Sequence, residues 1–326
     1  MKKIFQERIY TLSLTIIVVC FIFALIYPSL FFTFDNLRQV LLNLSIDTIV
    51  AVGMMLLMVS GSFDLSVGSV VAFAGGITAN LMIYSDVNVA AAVSAGLLCS
   101  LVIGMVNGFL VAYAGINPMI QTLAMMGIVR GLALMVSGSG IQNLPYWFNA
   151  IGQSKLLGLQ MPVWYMLITV GVFAFLFSRT VFFRRYYYIG GNEKAALLSG
   201  IDAKRMKFYG FVIVSLLAGF AGILLSSRLG AALSSSGRGM ELRVITAVIL
   251  GGASLSGGEG KIAGALLGTV FMGVIGNVMV IARVSGYWQE IILGLILIAA
   301  VGIDQLFRSE RKLGYLPAKK SILQDV

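Results

Sequence analysis

The sequence predicts an all-α polytopic membrane protein of about ten transmembrane helices, with short re-entrant or broken helices among them and both termini cytoplasmic. Three observations predict it. Of 326 residues, 59% are hydrophobic and 11% charged, with a mean hydropathy of +0.97, whereas a soluble domain is about one quarter charged. The apolar character never stops, as it would after a secretory signal. Small residues, among them Gly75, Gly76, Gly104, Gly108, Gly264, Gly268, Gly273 and Gly276, recur through the apolar blocks. Glycines let helices approach closely in lipid, and no alternation of barrel type is present.

A spanning helix needs about 20 apolar residues. Blocks of that kind fall near 10–27, 41–60, 70–85, 91–114, 119–138, 161–180, 209–229, 243–256, 262–283 and 289–307. The third and eighth are short enough to be broken or re-entrant. The whole of 1–326 reads as a single transmembrane domain, with 181–208 as its cytoplasmic loop.

The net charge of +10 follows topology and not nucleic-acid binding. Basic residues crowd the start (Lys2, Lys3, Arg8), the 180–208 loop (Arg179, Arg184, Arg185, Lys194, Lys204, Arg205, Lys207) and the end (Arg308, Arg311, Lys312, Lys319, Lys320). Even numbers of spans put all three on one side, where the positive-inside bias expects them. Arg38, Lys155, Arg228, Arg238, Arg243 and Arg283 fall on the other side, and Arg130 lies within a span. In the longest external loop, 139–160, Tyr146, Trp147 and Phe148 are expected at the membrane interface. A sugar-stacking platform is the alternative.

The chain has no histidine, and its two cysteines, Cys20 and Cys99, lie in apolar blocks. This excludes zinc sites and histidine-based catalysis, and points to no metal, cofactor or covalent chemistry.

The stretch GSFDLSVGS, residues 61–69, interrupts two apolar blocks and is echoed by GGASLSGGE, residues 251–259. Gly61, Leu65, Ser66 and Gly68 match Gly251, Leu255, Ser256 and Gly258, and Gly252 extends the second copy. Transporter folds carry such repeats near breaks in their helices. Asp64 is expected to cap the following helix by accepting backbone N–H groups, with Ser254 as its capping counterpart. LSGGE at 255–259 resembles an ATPase signature, but no G-x-x-x-x-G-K-[ST] phosphate loop exists in the chain.

Four ordered stretches carry a resemblance: SGSFDLSVGSVVAFAGG (60–76), NGFLVAYAGINPMIQTLAMMGIVRGLAL (107–134), IGGNEKAALLSGI (189–201) and AVILGGASLSGGEGKIAGALLG (247–268). Together they resemble the membrane permease subunit of bacterial ABC importers for monosaccharides, the ribose, xylose, galactose and autoinducer-2 type. Ser62 and Phe63 depart from that family's GGIDLSVG pattern. The resemblance implies separate ATPase subunits, a periplasmic or surface-anchored sugar-binding protein, a second permease chain (identical or a sister), and the bacterial inner membrane. It also implies that a loop helix of pattern E-A-A-x-x-x-G docks on the ATPase. Glu193, Ala195, Ala196 and Gly200 fit loosely, with Lys194 inserted. Gly200 suits a left-handed helix end.

Ionisable groups in spans are costly and default to functional candidates. Asp47 and Asn43, one helical turn apart, either line a polar path or bond helices together. Arg130 requires a carboxylate, Asp47 or Asp64, or backbone carbonyls. Asn107 and Asn277 offer amides suited to sugar hydroxyls. Together with Asp64 these form the candidate translocation path. The rivals are an ion-coupled transporter using Asp47, Asp64 and Glu290, and a branched-chain amino acid permease of the same superfamily.

Overall fold

A computed structural model describes the backbone of residues 2–314, and the side chains of 9–302, 304 and 305. The tail lysines Lys319 and Lys320 lie outside the described residues, as do the side chains of Lys2, Lys3, Arg8, Arg308, Arg311 and Lys312.

Among the described residues the regular secondary structure is helical apart from one hairpin of two-residue strands. In order it forms α1 (Lys2–Ile26), α2 (Phe34–Val59), α3 (Val67–Tyr84), α4 (Val89–Ala112), α5 (Pro118–Ser137), α6 (Tyr146–Gln153), β1 (Lys155–Leu156), β2 (Leu159–Gln160) and α7 (Met161–Arg179). Then come α8 (Val181–Gly191), α9 (Glu193–Leu198), α10 (Ala203–Leu229), α11 (Met240–Leu250), α12 (Ile262–Ile281) and α13 (Gly286–Gly314). The strands pair antiparallel, Lys155 opposite Gln160.

Polar caps start the helices where hydropathy alone sets no boundary. Thr33, Asn88 and Asn117 each accept a first-turn N–H, from Asn36, Ala91 and Met119. Each satisfies a donor that the helix leaves unpaired. Gly230 closes α10 in the left-handed conformation at φ 65°.

Helix α2 is the centre of the bundle: 83% of its most apolar window is buried, against 6% for α1. Helix α10 packs on α2, α3 and α4 through small residues. A Cβ on Gly222 would clash with the Val71 carbonyl, and one on Gly104 would lie 2.8 Å from Ser215. Lipid tails supply no hydrophobic drive between helices, so this close backbone approach is what holds them.

Among the described residues eight helices are long and apolar enough to cross a bilayer, where about ten were expected: α1 to α5, α7, α10 and α12. The short third block is a full helix, α3, of 18 residues. The eighth falls short. Helix α11 has 11 residues, about 16 Å of rise against a core of about 30 Å. The segment before it, 231–239, runs back along α5 without helical structure. Ile141 and Ala232 exchange backbone hydrogen bonds, and the Ser234 hydroxyl donates to the Gly138 carbonyl at 2.8 Å. Further along, Arg130 donates to the carbonyls of Ser234 and Ser236 at 2.7 and 2.8 Å. Irregular backbone at membrane depth is tolerated only where protein satisfies it, and Arg130 does so here. Its partners are carbonyls, not Asp47 or Asp64. The tenth block lies in α13, a helix of 29 residues whose apolar stretch among the described residues is Gly286–Gly302.

Candidate functional site

Helices α2, α10, α11 and α12 line a half-open cavity of about 410 Å³. Its polar lining is Gln39, Asn43 and Asp47 from α2, Arg228 from the end of α10, Arg243 from α11 and Thr269 and Asn277 from α12. Gln39, Asn43 and Asp47 recur at the four-residue spacing that puts them on one helix face. Arg243 Nε donates to Asp47 Oδ2 at 3.2 Å. Arg228 Nη2 donates to Asn43 Oδ1 at 2.8 Å, and Nη1 reaches the Leu42 carbonyl. At one end, Asn36 and Asn277 exchange side-chain hydrogen bonds of 3.1 and 2.6 Å. At the other, the hydroxyls of Thr48 and Thr269 lie 2.8 Å apart. Amides, a carboxylate and guanidinium groups around apolar walls suit a small hydroxyl-rich solute.

Three candidate path residues, Asn43, Asp47 and Asn277, therefore meet in one cavity. Asn43 and Asp47 are bonded to two arginines rather than to each other. Sequence reasoning missed both arginines as site residues. Their signal was that each stood among the exceptions to the positive-inside pattern.

Asp64 and Asn107 lie elsewhere, in a separate buried network. Asp64 is fully buried. Its Oδ1 accepts the Ser66 N–H at 2.7 Å and the Ser66 hydroxyl at 2.6 Å. Asn107 donates to Asp64 Oδ2 at 3.4 Å and to Ser66 Oγ at 3.1 Å, and accepts from Gln121 at 3.3 Å. The network joins the turn before α3 to α4 and α5. Burial pushes the Asp64 carboxyl above its usual range, against the opposing effect of the hydrogen bonds it accepts. Asp64 thus organises the turn that leads into α3, through the N–H of that helix's N-cap residue. Ser254 does not repeat this. It stands eight residues before α12, its carbonyl accepts the Gly257 N–H, and α12 starts after Lys261 without a side-chain cap. Capping is not what the two echoed stretches share.

What relates them is contact. Gly258 N–H donates to the Val59 carbonyl at 2.8 Å, and Gly257 lies against the backbone of Gly61. The end of α8 completes the junction: Cβ atoms on Gly190 would clash with Val59, and one on Gly258 would lie 3.0 Å from Gly191. Tyr187 of α8 donates to the Gly260 carbonyl at 2.7 Å. Burial pushes the Tyr187 phenol up to about 12, so it holds that proton. Gly68 and Gly251 serve other contacts, against Gly237 and Gly264. Gly252 turns the chain at φ 91°.

Helix α9 follows the junction directly. Asn192 caps it by accepting the Ala195 N–H at 3.0 Å. It ends in a Schellman motif: Gly200 at φ 78° donates to the Leu197 carbonyl, and Ile201 to that of Ala196, each at 3.0 Å. Ala196 faces inward at 4% exposure, while Leu198 is 91% exposed. Glu193 is paired with Lys207 of α10 at 2.8 Å. A short helix with a bare leucine tip is thereby tied to α10 through the Glu193–Lys207 pair.

Tyr146 and Trp147 are exposed and stacked edge to face at 5.6 Å, but Phe148 is fully buried. Phe148 therefore belongs to the core and not to an interfacial aromatic set. Its carbonyl accepts from Ser227 at 2.6 Å, fixing α6 on α10. Glu290 is exposed.

Residues 36–301 match the family described as branched-chain amino acid transport system / permease component. The L-arabinose ABC transporter permease protein AraH of Azospirillum brasilense is 39% identical over 283 residues, 86% of this chain and 83% of that protein. The L-arabinose transport system permease protein AraH of Escherichia coli is 40% identical over 293 residues, 90% and 89% of the two chains. The ribose import permease protein RbsC of Escherichia coli is 37% identical over 279 residues, 84% and 87%. No solved structure matches the chain.

Proposed function

This chain belongs to the ABC-importer permeases of the family described as branched-chain amino acid transport system / permease component, and from that premise we propose that its polar cavity is the route of a sugar across the membrane. The chain is the multi-pass permease subunit of a binding-protein-dependent sugar importer. ATP is hydrolysed by a separate partner subunit, and a binding protein delivers the solute.

The observation that carries the cavity assignment is the convergence of Asn43, Asp47 and Asn277 with Arg228 and Arg243 in one space of about 410 Å³. That volume lies within the range of small-molecule sites, about 300–1,000 Å³. On this reading the Asn36–Asn277 end faces outward, and α9 with both termini faces the cytoplasm. Two permease chains, identical or sister, enclose the route. Helix α9, with Glu193, Ala195, Ala196 and Gly200, seats in the ATPase. Closure of the ATPase moves α8, and α8 bears on the turns at 60–68 and 251–260. The chain makes and breaks no covalent bond.

Reconstitution of the permease, ATPase and binding protein in liposomes tests this. ATP-driven uptake of labelled L-arabinose, D-ribose or D-allose is expected. The family description also names branched-chain amino acids, so labelled L-leucine is the second substrate to measure. Leucine uptake without sugar uptake selects the amino acid reading. Uptake that stops when the proton gradient is collapsed with ATP present selects an ion-coupled carrier.

A further inference from the structure

The two arginines of the cavity stand in different electrostatic situations. Arg243 has a carboxylate, Asp47, at 3.2 Å. Arg228 has none: among the described residues its guanidinium donates only to a carbonyl, Leu42, and an amide oxygen, Asn43. A half-buried guanidinium is expensive unless its N–H groups are satisfied. Its planar fork carries more donors than these two bonds use, and it lines the cavity wall. Asp47 is the reverse case. Its Oδ2 is engaged, while no hydrogen bond reaches its Oδ1 from the described residues. The two groups stand on anchors one turn of α2 apart, Asn43 and Asp47, about 6 Å of rise.

We propose that Arg228 and Asp47 read a neutral sugar in the cavity, Arg228 donating to adjacent ring or hydroxyl oxygens and Asp47 Oδ1 accepting a hydroxyl proton one turn deeper. A vicinal diol presents both an acceptor and a donor at neighbouring positions, which matches this pairing. Arg243 fixes the Asp47 carboxylate and removes its attraction for an ammonium group, which disfavours an amino acid zwitterion. Asn43 acts as a positioning residue, because it holds Arg228 against α2. The inference rests on the cavity being the transport route.

The test uses the reconstituted permease–ATPase complex in nanodiscs, with Cys20 and Cys99 replaced by serine and a reporter, Gly276→Cys. Gly276 lines the cavity, and nothing lies within 4 Å of a Cβ added there. The rate of maleimide labelling is measured against rising concentrations of D-ribose, L-arabinose, D-allose, D-galacturonate and L-leucine. At least one neutral sugar is expected to slow labelling. In Arg228→Gln the half-protecting concentration should rise about tenfold, the loss of one charged hydrogen bond, and Asn43→Ala should follow it in part. Arg228→Lys, which keeps the charge but not the fork, should also raise it. Unchanged protection in folded Arg228→Gln and Arg228→Lys, or stronger protection by galacturonate than by any neutral sugar, overturns the proposal. Absence of protection in a complex that imports sugar overturns it while leaving the transport reading intact. Leucine import without sugar import sinks both.

Discussion

The backbone N–H of Gly258 donates to the carbonyl of Val59 at 2.8 Å, across 199 residues of sequence. Around this bond the two echoed turns and the end of α8 meet with backbone against backbone. Gly258 adopts φ 79° and a Cβ on it would lie 3.0 Å from Gly191. A side chain there faces both a left-handed penalty and a close neighbour.

Gly258→Val is therefore expected to cost about 2–3 kcal/mol and to separate ATP hydrolysis from transport. The measurement is ATPase rate beside sugar uptake in one liposome preparation. Hydrolysis with uptake reduced more than tenfold is the expected result. Equal loss of both would place the junction's role in folding alone.

Leu198→Asp addresses α9 without touching the bundle. Leu198 is 91% exposed, so its replacement should change stability by less than about 0.5 kcal/mol. If α9 seats in the ATPase, the buried charge should abolish co-purification of the two subunits. Retained co-purification and uptake would remove α9 from the docking surface.

Arg130→Leu leaves the carbonyls of Ser234 and Ser236 without their donor inside the bundle. Two hydrogen bonds from a charged group make this loss about 3 kcal/mol or more. A melting temperature in detergent lowered by at least about 6 °C is expected. A melting temperature equal to wild type would show that segment 231–239 does not depend on Arg130.

Asp64→Asn keeps an acceptor for the Ser66 N–H and should fold, whereas Asp64→Leu should cost about 2–3 kcal/mol. Because burial raises the Asp64 carboxyl, the sign of its pH effect is fixed. Its protonated form is the one favoured by the fold, so this contribution is present at low pH and is lost as pH rises through its folded titration. Asp64→Asn should flatten that dependence, measured as melting temperature from pH 5 to 8. A dependence that steepens would contradict the assignment.

Lys207→Ala removes the partner of Glu193 at a partly exposed site. A loss of no more than about 1 kcal/mol is expected, with α9 still docked through its glycine-terminated end. Loss of ATPase co-purification in this variant would make the ion pair part of the docking geometry.

Much of this protein is decided by properties that a local run of residues already contains. Hydropathy over about 20 residues fixes which segments enter lipid. Gly200 after an alanine-containing turn fixes how α9 ends. The sequence by itself determined the membrane class, most of the helices, the α9 segment and the family. Tertiary structure alone decided which polar groups meet, because a group's partner is chosen by packing and not by its neighbours in the chain. Asp47 finds Arg243 196 residues away and Arg130 finds carbonyls more than a hundred residues on. Asp64 and Asn107, which composition groups with the path residues, are drawn into a different network. Phe148, indistinguishable in sequence from its exposed neighbours, is buried because α6 turns that face to α10. Segment 231–239 is non-helical, and Arg130 and Ile141 bond its backbone from outside, a condition no local pattern records.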